Sequence, residues 1–254
     1  VALATVCSQL LSAVLVVLSL LRADGASYQL FPKELRIHPQ AMSGILRVGL
    51  PTALQSVMYS ASNIVIQAFI NSFGTNAVAA WTAYGKMDVL FWMTLTAMSQ
   101  SITTFAGQNY GAGKYDRLKK GVRVSALMSL ALTLPISLIM VLFARPILSI
   151  FTPDPDVLAI GVDMVRFLAP TYFTYILVEL LPGAIRGAGK SLVPMLISVF
   201  GVCGLRLAWL FIAVPLNHTI LMVEASYPIT WVITALALAV YYRFGRWLEP
   251  RPAP

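Results

Sequence analysis

Long apolar runs separated by short polar breaks recur along the whole chain. Seven such runs, at about 1–21, 47–70, 77–106, 124–144, 157–183, 191–215 and 222–242, take up most of its length. Each supplies roughly the 20 residues a helix needs to cross the hydrocarbon layer. No water there satisfies exposed backbone groups, so helices are the only plausible spans. The pattern predicts an all-α, polytopic membrane protein with seven transmembrane helices. The breaks set the expected domain edges: one helix at 1–21, a polar linker at 22–46 with Gly25, Pro32, Pro39 and Gly44, six helices in succession over 47–247, and a tail at 248–254.

Composition agrees, with 58% hydrophobic and 11% charged residues and a mean hydropathy of +0.79. A soluble domain does not look like this. The formal charge of +8 raises nucleic acid as a partner, but its distribution argues otherwise. From Arg22 to Arg251 the successive breaks carry 4, 0, 5, 1, 2, 0 and 3 Lys or Arg. This alternation is the positive-inside pattern. It places 22–47, 107–123, 186–190 and the C-terminus in the cytoplasm, and residue 1 at the outer face of a plasma or inner membrane. The basic charge is therefore topological, and no nucleic acid is expected. Cys7 and Cys203 lie inside spans without metal-ligand spacing, so neither a disulfide nor a metal is expected. The chain opens at Val1, without Met and already inside an apolar helix. One helix, a linker and a six-helix bundle match the second part of a two-lobed, twelve-helix carrier. An N-terminal lobe is expected upstream.

The polar residues within spans carry the candidate chemistry. Thr52, Ser56, Ser60, Asn63, Gln67 and Asn71 recur every three or four residues and share one helix face. Two readings fit: helix–helix hydrogen bonds, worth about 0.6 kcal/mol each, or the wall of a wet cavity. On the third span Trp81, Gly85, Asp88, Trp92, Ser99 and Thr103 share a face, with Lys86 on another. Aromatic rings beside a carboxylate suit flat or cationic organic compounds. An interfacial aromatic belt is the simpler account of the tryptophans.

A charge inside a span costs at least about 2.5 kcal/mol at the membrane centre, so Lys86, Asp88, Glu179 and Arg206 each need a partner or a task. These two cations and two anions can pair completely. Alternatively Glu179 loads and releases a coupling cation, with Asp88 as second candidate. Asp163 and Arg166, three residues apart, are expected to form a local pair. Pro135, Pro170, Pro182, Pro194 and Pro228 predict kinks.

Several motifs mislead. AIRGAGKS at Ala184 to Ser191 approaches a phosphate-binding loop, but that loop wants Gly in place of Ala184 and a strand before it. This stretch, like GQNYGAGKYDR at Gly107 to Arg117, reads as a cytoplasmic turn, so neither nucleotide nor another cofactor is expected. Asn217-His218-Thr219 fits a glycosylation acceptor on an external break. His38 and His218 lie in breaks on opposite sides and no catalytic set converges, which argues against an enzyme. A seven-helix receptor fits on helix count, yet 222–242 holds no lysine for a retinal base. No acidic-arginine-aromatic triplet ends the third span.

The same segments resemble the multidrug and toxic compound extrusion (MATE) family. The resemblance rests on GLPTALQ at Gly49 to Gln55, FG-x-x-x-VAA at Phe73 to Ala80, GQNYGAGK at Gly107 to Lys114 and PGAIRGAGKSLVPM at Pro182 to Met195. It runs from about Arg47 to Trp247, and ATVCSQLLSAVL at Ala4 to Leu15 is similar to the family's sixth helix. It implies one lobe of a twelve-helix antiporter that expels drug-like compounds through a central cleft by alternating access, against H+ or Na+. Thr52, Ser56, Tyr59, Ser60, Asn63, Gln67, Trp92 and Ser99 would line that cleft. Tyr59 stands where some members place an acidic cation ligand midway along the seventh helix. Glu179 matches an acidic residue of the tenth. The first-lobe aspartate that often couples protons would lie upstream of Val1. A flippase for lipid-linked precursors is the neighbouring alternative, and only Lys86 and Arg206 offer the basic cavity it favours.

Overall fold

The computed structural model describes residues 2–23, 25, 29–32 and 35–248. The expected tail beyond Leu248, and Lys33 with several other linker positions, lie outside the described residues. Among those residues the chain is helical and has no strand. It divides into two compact units, Val1–Ile45 and Leu46–Pro254.

The first unit contains α1 (Ala2–Leu21), whose 20 residues include no charge and end where Arg22 N–H donates to the Leu18 carbonyl at 3.0 Å. Beyond it Leu30 N–H donates to the Leu20 carbonyl at 3.1 Å. The helix α2 (Pro39–Asn71) begins in this unit and has most of its length in the second.

The second unit continues with α3 (Thr75–Gly111), α4 (Tyr115–Leu142), the short α5 (Ala144–Leu148), α6 (Pro155–Leu168) and α7 (Ile176–Gly187). It closes with α8 (Leu192–Ser198), α9 (Leu205–Leu216) and α10 (Ile220–Phe244). A 3-10 turn, Ala169–Tyr175, joins α6 to α7, and a π turn, Val199–Gly204, joins α8 to α9. Among the described residues six helical stretches are long and apolar enough to cross a membrane: 3–21, 39–71, 115–142, 155–187, 192–216 and 220–244. The seventh rod, α3, is 37 residues long but carries the polar face that includes Asp88. The protein is a multi-pass membrane protein.

Two turns share a sequence and a geometry. Gly111-Ala112-Gly113-Lys114 ends α3 and Gly187-Ala188-Gly189-Lys190 ends α7. Gly113 and Gly189 adopt φ of 69° and 80°, where a side chain is strained. Lys114 N–H then donates to the Asn109 carbonyl at 2.8 Å, and Lys190 N–H to the Ile185 carbonyl at 3.2 Å. These are Schellman closures of helix ends. The phosphate-loop look-alike is thus the close of α7.

The helix α3 forms the spine and packs against α4, α6 and most extensively α7. Close approach to α7 is possible because Gly183 and Gly187, four apart, present no side chain there. A Cβ on Gly187 would lie 2.4 Å from the Thr103 carbonyl oxygen, and one on Gly183 3.0 Å from Ser99 Oγ. Ser99 Oγ donates to the Glu179 carbonyl at 3.2 Å and Thr103 Oγ1 to the Gly183 carbonyl at 3.0 Å. On α4 the inward face is Leu118, Val122, Ser129, Thr133, Ser137 and Met140, while Leu127, Leu134, Leu138 and Leu142 are exposed. Small polar residues toward helices and leucines outward is the pattern of a helix against lipid. The backbone of α2 approaches the other helices least. It joins them through side chains, Ile66 and Ile70 packing with Leu210, Val214 and Val223.

Candidate functional site

In the gap between α2 and the α3–α7–α10 wall lies a cavity of about 580 Å³. Each helix contributes residues one turn apart. From α2 come Tyr59, Ser62, Asn63, Ile66 and Gln67; from α3, Trp81, Tyr84, Gly85, Asp88 and Trp92. Tyr175 and Glu179 project from the 3-10 turn and α7, four apart. Val202, Cys203 and Arg206 follow from the π turn and α9, and Tyr227 and Trp231 from α10, again four apart.

Asp88 is the fixed point of this wall. It is 7% exposed, and both oxygens are engaged: Tyr172 Oη donates to Oδ1 and Trp92 Nε1 to Oδ2. Tyr172 Oη also meets Tyr84 Oη at 2.8 Å, and its ring stacks on Phe91 at 3.9 Å. Charge-assisted hydrogen bonds of this kind orient a carboxylate firmly. Around it the rings interlock: Trp92 lies edge-on to Tyr175 at 4.9 Å, Tyr175 meets Trp231 at 5.1 Å, and Trp231 meets Tyr227 at 5.5 Å. Glu179 is held more loosely. Its carboxylate accepts from Tyr175 Oη at 3.4 Å and is half-buried.

The structure gathers Tyr59, Asn63, Gln67, Asp88, Trp92, Glu179 and Arg206 around one space. It leaves other expected site residues outside. Thr52 and Ser56 hydroxyls return to their own helix, donating to the Val48 carbonyl at 2.9 Å and the Thr52 carbonyl at 3.2 Å. Ser60 is exposed, and Ser99 is buried in the α3–α7 contact. The lower half of the polar stripe on α2 is thus bonded within its own helix and not to another, while Asn63 and Gln67 of the upper half line the cavity.

The complete charge pairing does not occur. Lys86 is exposed, with its ammonium 5.6 Å from the Phe151 ring centroid, because two residues along a helix turn it away from Asp88. Arg206 stacks on Tyr227 at 4.0 Å instead of meeting Glu179. Asp163 and Arg166 are both exposed and form no ion pair. Trp81 and Trp92, readable as an interfacial belt, line the cavity. His218 is exposed as expected, yet its ring stacks on Phe73 at 4.3 Å and Nε2 is 3.1 Å from Ser72 Oγ, tying two turns together. Thr219 of the glycosylation-like triplet caps α10.

Sequence reasoning missed Tyr175, Tyr227 and Trp231. The four-residue spacing of Tyr227 and Trp231 was a usable signal. It also missed Glu224, a further charge within the spans, 3% exposed with Oε1 unpartnered. Among the described residues no His, Cys, Asp or Glu cluster suits a metal ion.

A family model described as MatE matches residues 51–212, the stretch that supplies every cavity wall except α10. YoeA of Bacillus subtilis, named as a multidrug resistance protein, is 26% identical over 216 residues, covering 84% of this chain and 46% of that protein. NorM of Thermotoga maritima, similarly named, is 29% identical over 170 residues, covering 67% of this chain and 37% of that protein. A MOP superfamily transporter from Pyrococcus furiosus shares the fold, with a TM-score of 0.89 at 17% identity over 99% of this chain and 57% of that one. The chain spans about half the length of the relatives it matches.

Proposed function

The chain belongs to the MatE family, and from that premise we propose that its second unit is one lobe of a transport cleft. The complete protein would export drug-like organic compounds across the plasma membrane in exchange for H+ or Na+, by alternating access. The observation that carries this reading is the cavity itself, where Asp88 and Glu179 stand among seven aromatic side chains.

Exchange follows from competition. A basic compound gains both ring stacking and a carboxylate partner, and a coupling cation at the same carboxylate removes that partner. Each then expels the other, with no further device required. Glu179 is the better exchange group, since the hydrogen bond it accepts from Tyr175 is long whereas Asp88 is held closely by two donors. Pro182 and Pro228 interrupt the backbone ladders of the two helices that carry Glu179 and Trp231. That gives these walls places to bend as the cleft opens to either side.

The exposed polar face of α2, with Ser56, Ser60 and Asn63, supports a facing second lobe across water. The distribution of Lys and Arg supports residue 1 outside and the C-terminus in the cytoplasm. A flippase would call for a basic cavity, whereas Lys86 points away from this one and Arg206 stands in it with two carboxylates, Asp88 and Glu179.

The test is efflux of ethidium by the full-length protein in proteoliposomes under an imposed pH or Na+ gradient. The expected outcome is gradient-driven efflux that Glu179→Gln abolishes while membrane insertion stays normal. Full efflux in that variant removes Glu179 from the coupling role, and gradient-independent movement removes antiport.

A further inference from the structure

Arg206 is a buried charge that the exchange chemistry leaves unused. It is 4% exposed and lines the cavity. Its guanidinium lies over the Tyr227 ring at 4.0 Å and donates to Thr230 Oγ1 at 3.4 Å, while Nε has no acceptor. No carboxylate among the described residues stands within ion-pairing distance. Asp88 and Glu179 accept instead from Tyr172, Trp92 and Tyr175. The carboxylates of this site have donors, and its cation has a hydroxyl and a ring but no anionic partner among the described residues. Trp231, on the same wall, likewise has an indole N–H without a partner. Unsatisfied buried donors are costly, a lone cation within a membrane span most of all.

The backbone is shaped to put Arg206 there. The π turn Val199–Gly204 seats against α10 through Gly201, where a Cβ would lie 2.3 Å from Thr234 Oγ1. Such a widened turn rotates the helix that follows and is a frequent feature of functional sites. Here it brings Val202, Cys203 and Arg206 onto the cavity wall.

We propose that the cavity takes flat aromatic compounds bearing an oxyanion, a carboxylate or phosphate ester, with the oxyanion on Arg206 and the ring among Trp92, Tyr227 and Trp231. This inference rests on the reading of the cavity as the transport site. A guanidinium presents parallel N–H groups that match two oxygens of one oxyanion. The aromatic wall supplies offset and edge contacts for a ring. Compounds that also carry a basic nitrogen address Arg206 and the carboxylates together.

The test uses the full-length protein in nanodiscs with two probes that share a ring system and carry opposite charge, pyrene-1-carboxylate and 1-pyrenemethylammonium. Energy transfer from tryptophan to pyrene reads binding. Arg206→Met is expected to weaken the carboxylate probe by about tenfold or more and not to weaken the ammonium probe, with Arg206→Lys retaining part of the affinity. In the unaltered protein, benzoate or phenyl phosphate displaces pyrene-1-carboxylate at lower concentration than benzylammonium does. Benzoate alone marks a carboxylate site and phenyl phosphate alone a phosphate-ester site. This displacement series decides the matter even if the Met variant does not fold. Unchanged carboxylate affinity in Arg206→Met, equal loss of both probes, or displacement by benzylammonium alone overturns the inference. Binding of the ammonium probe without the carboxylate probe also overturns it, yet leaves the transport reading standing. Binding of neither overturns it as well, and ethidium efflux then judges the transport reading separately.

Discussion

Gly187→Ala puts the contact between α3 and α7 under direct strain. The added methyl would lie 2.4 Å from the Thr103 carbonyl oxygen, 2.8 Å from Ala106 Cβ and 3.0 Å from Gly107 N. Non-bonded carbon contacts settle near 3.5–4.0 Å, so the helices must part by about 1 Å. Two of the three opposing atoms are backbone, and no rotamer change relieves them. Overpacking of this kind costs about 3 kcal/mol at the upper end of its usual range, with the Ser99 and Thr103 hydrogen bonds to α7 stretched as well. The gain in helix propensity from Gly to Ala, about 1 kcal/mol, offsets part. A net loss of about 2 kcal/mol lowers the melting temperature by roughly 4–8 °C for a unit of this size. Gly85→Ala is the control, because a methyl there meets nothing within 4 Å. Thermal unfolding of the full-length protein in detergent reads both. If Gly187→Ala melts at or above the unaltered protein while Gly85→Ala is neutral or slightly stabilising, the crossing is not tight enough to exclude a methyl and the strain assigned to it is absent.

Other outcomes follow from the same geometry. Trp92→Phe keeps the ring but removes the donor to Asp88 Oδ2, so stability should fall by about 1–3 kcal/mol and Asp88→Asn in that background should recover part of it, read by the same melting assay. Gly189→Ala forces a side chain into φ of 80° and should cost about 1–2 kcal/mol, whereas Gly111→Ala, with nothing within 4 Å, should be tolerated. Trp231→Ala empties the most buried ring of the cavity wall, 1% exposed; the expected loss is about 3–5 kcal/mol, and unchanged melting would mean the rings do not support one another.

The helices were legible because apolar run length and backbone satisfaction in lipid leave few alternatives. The α3 face was legible for the same kind of reason: Trp81, Gly85, Asp88 and Trp92 lie three to four residues apart, and they do share one wall. The partners were not. Whether Arg206 meets Glu179 or Tyr227 depends on how the π turn rotates α9, and nothing in VFGVCG announces an extra residue per turn. Lys86 was readable, since its offset from Asp88 already turned it outward. Thr52 and Ser60 show the limit of periodicity, which identifies a face without saying how far along it a cavity extends. The aromatic half of the site on α10 carried its signal in Tyr227 and Trp231. Glu224 escaped because it lies only four residues beyond the start of α10.

The central claim is that compounds occupy the cavity beside Asp88 and Glu179. Alkylation of a single cysteine tests it directly. In an otherwise cysteine-free full-length protein, Asn63→Cys places a thiol on the cavity wall, and Leu50→Cys places one on an exposed stretch of the same helix. Saturating ethidium should slow maleimide labelling at position 63 and leave position 50 unaffected. Equal labelling at position 63 with and without ethidium would contradict the account.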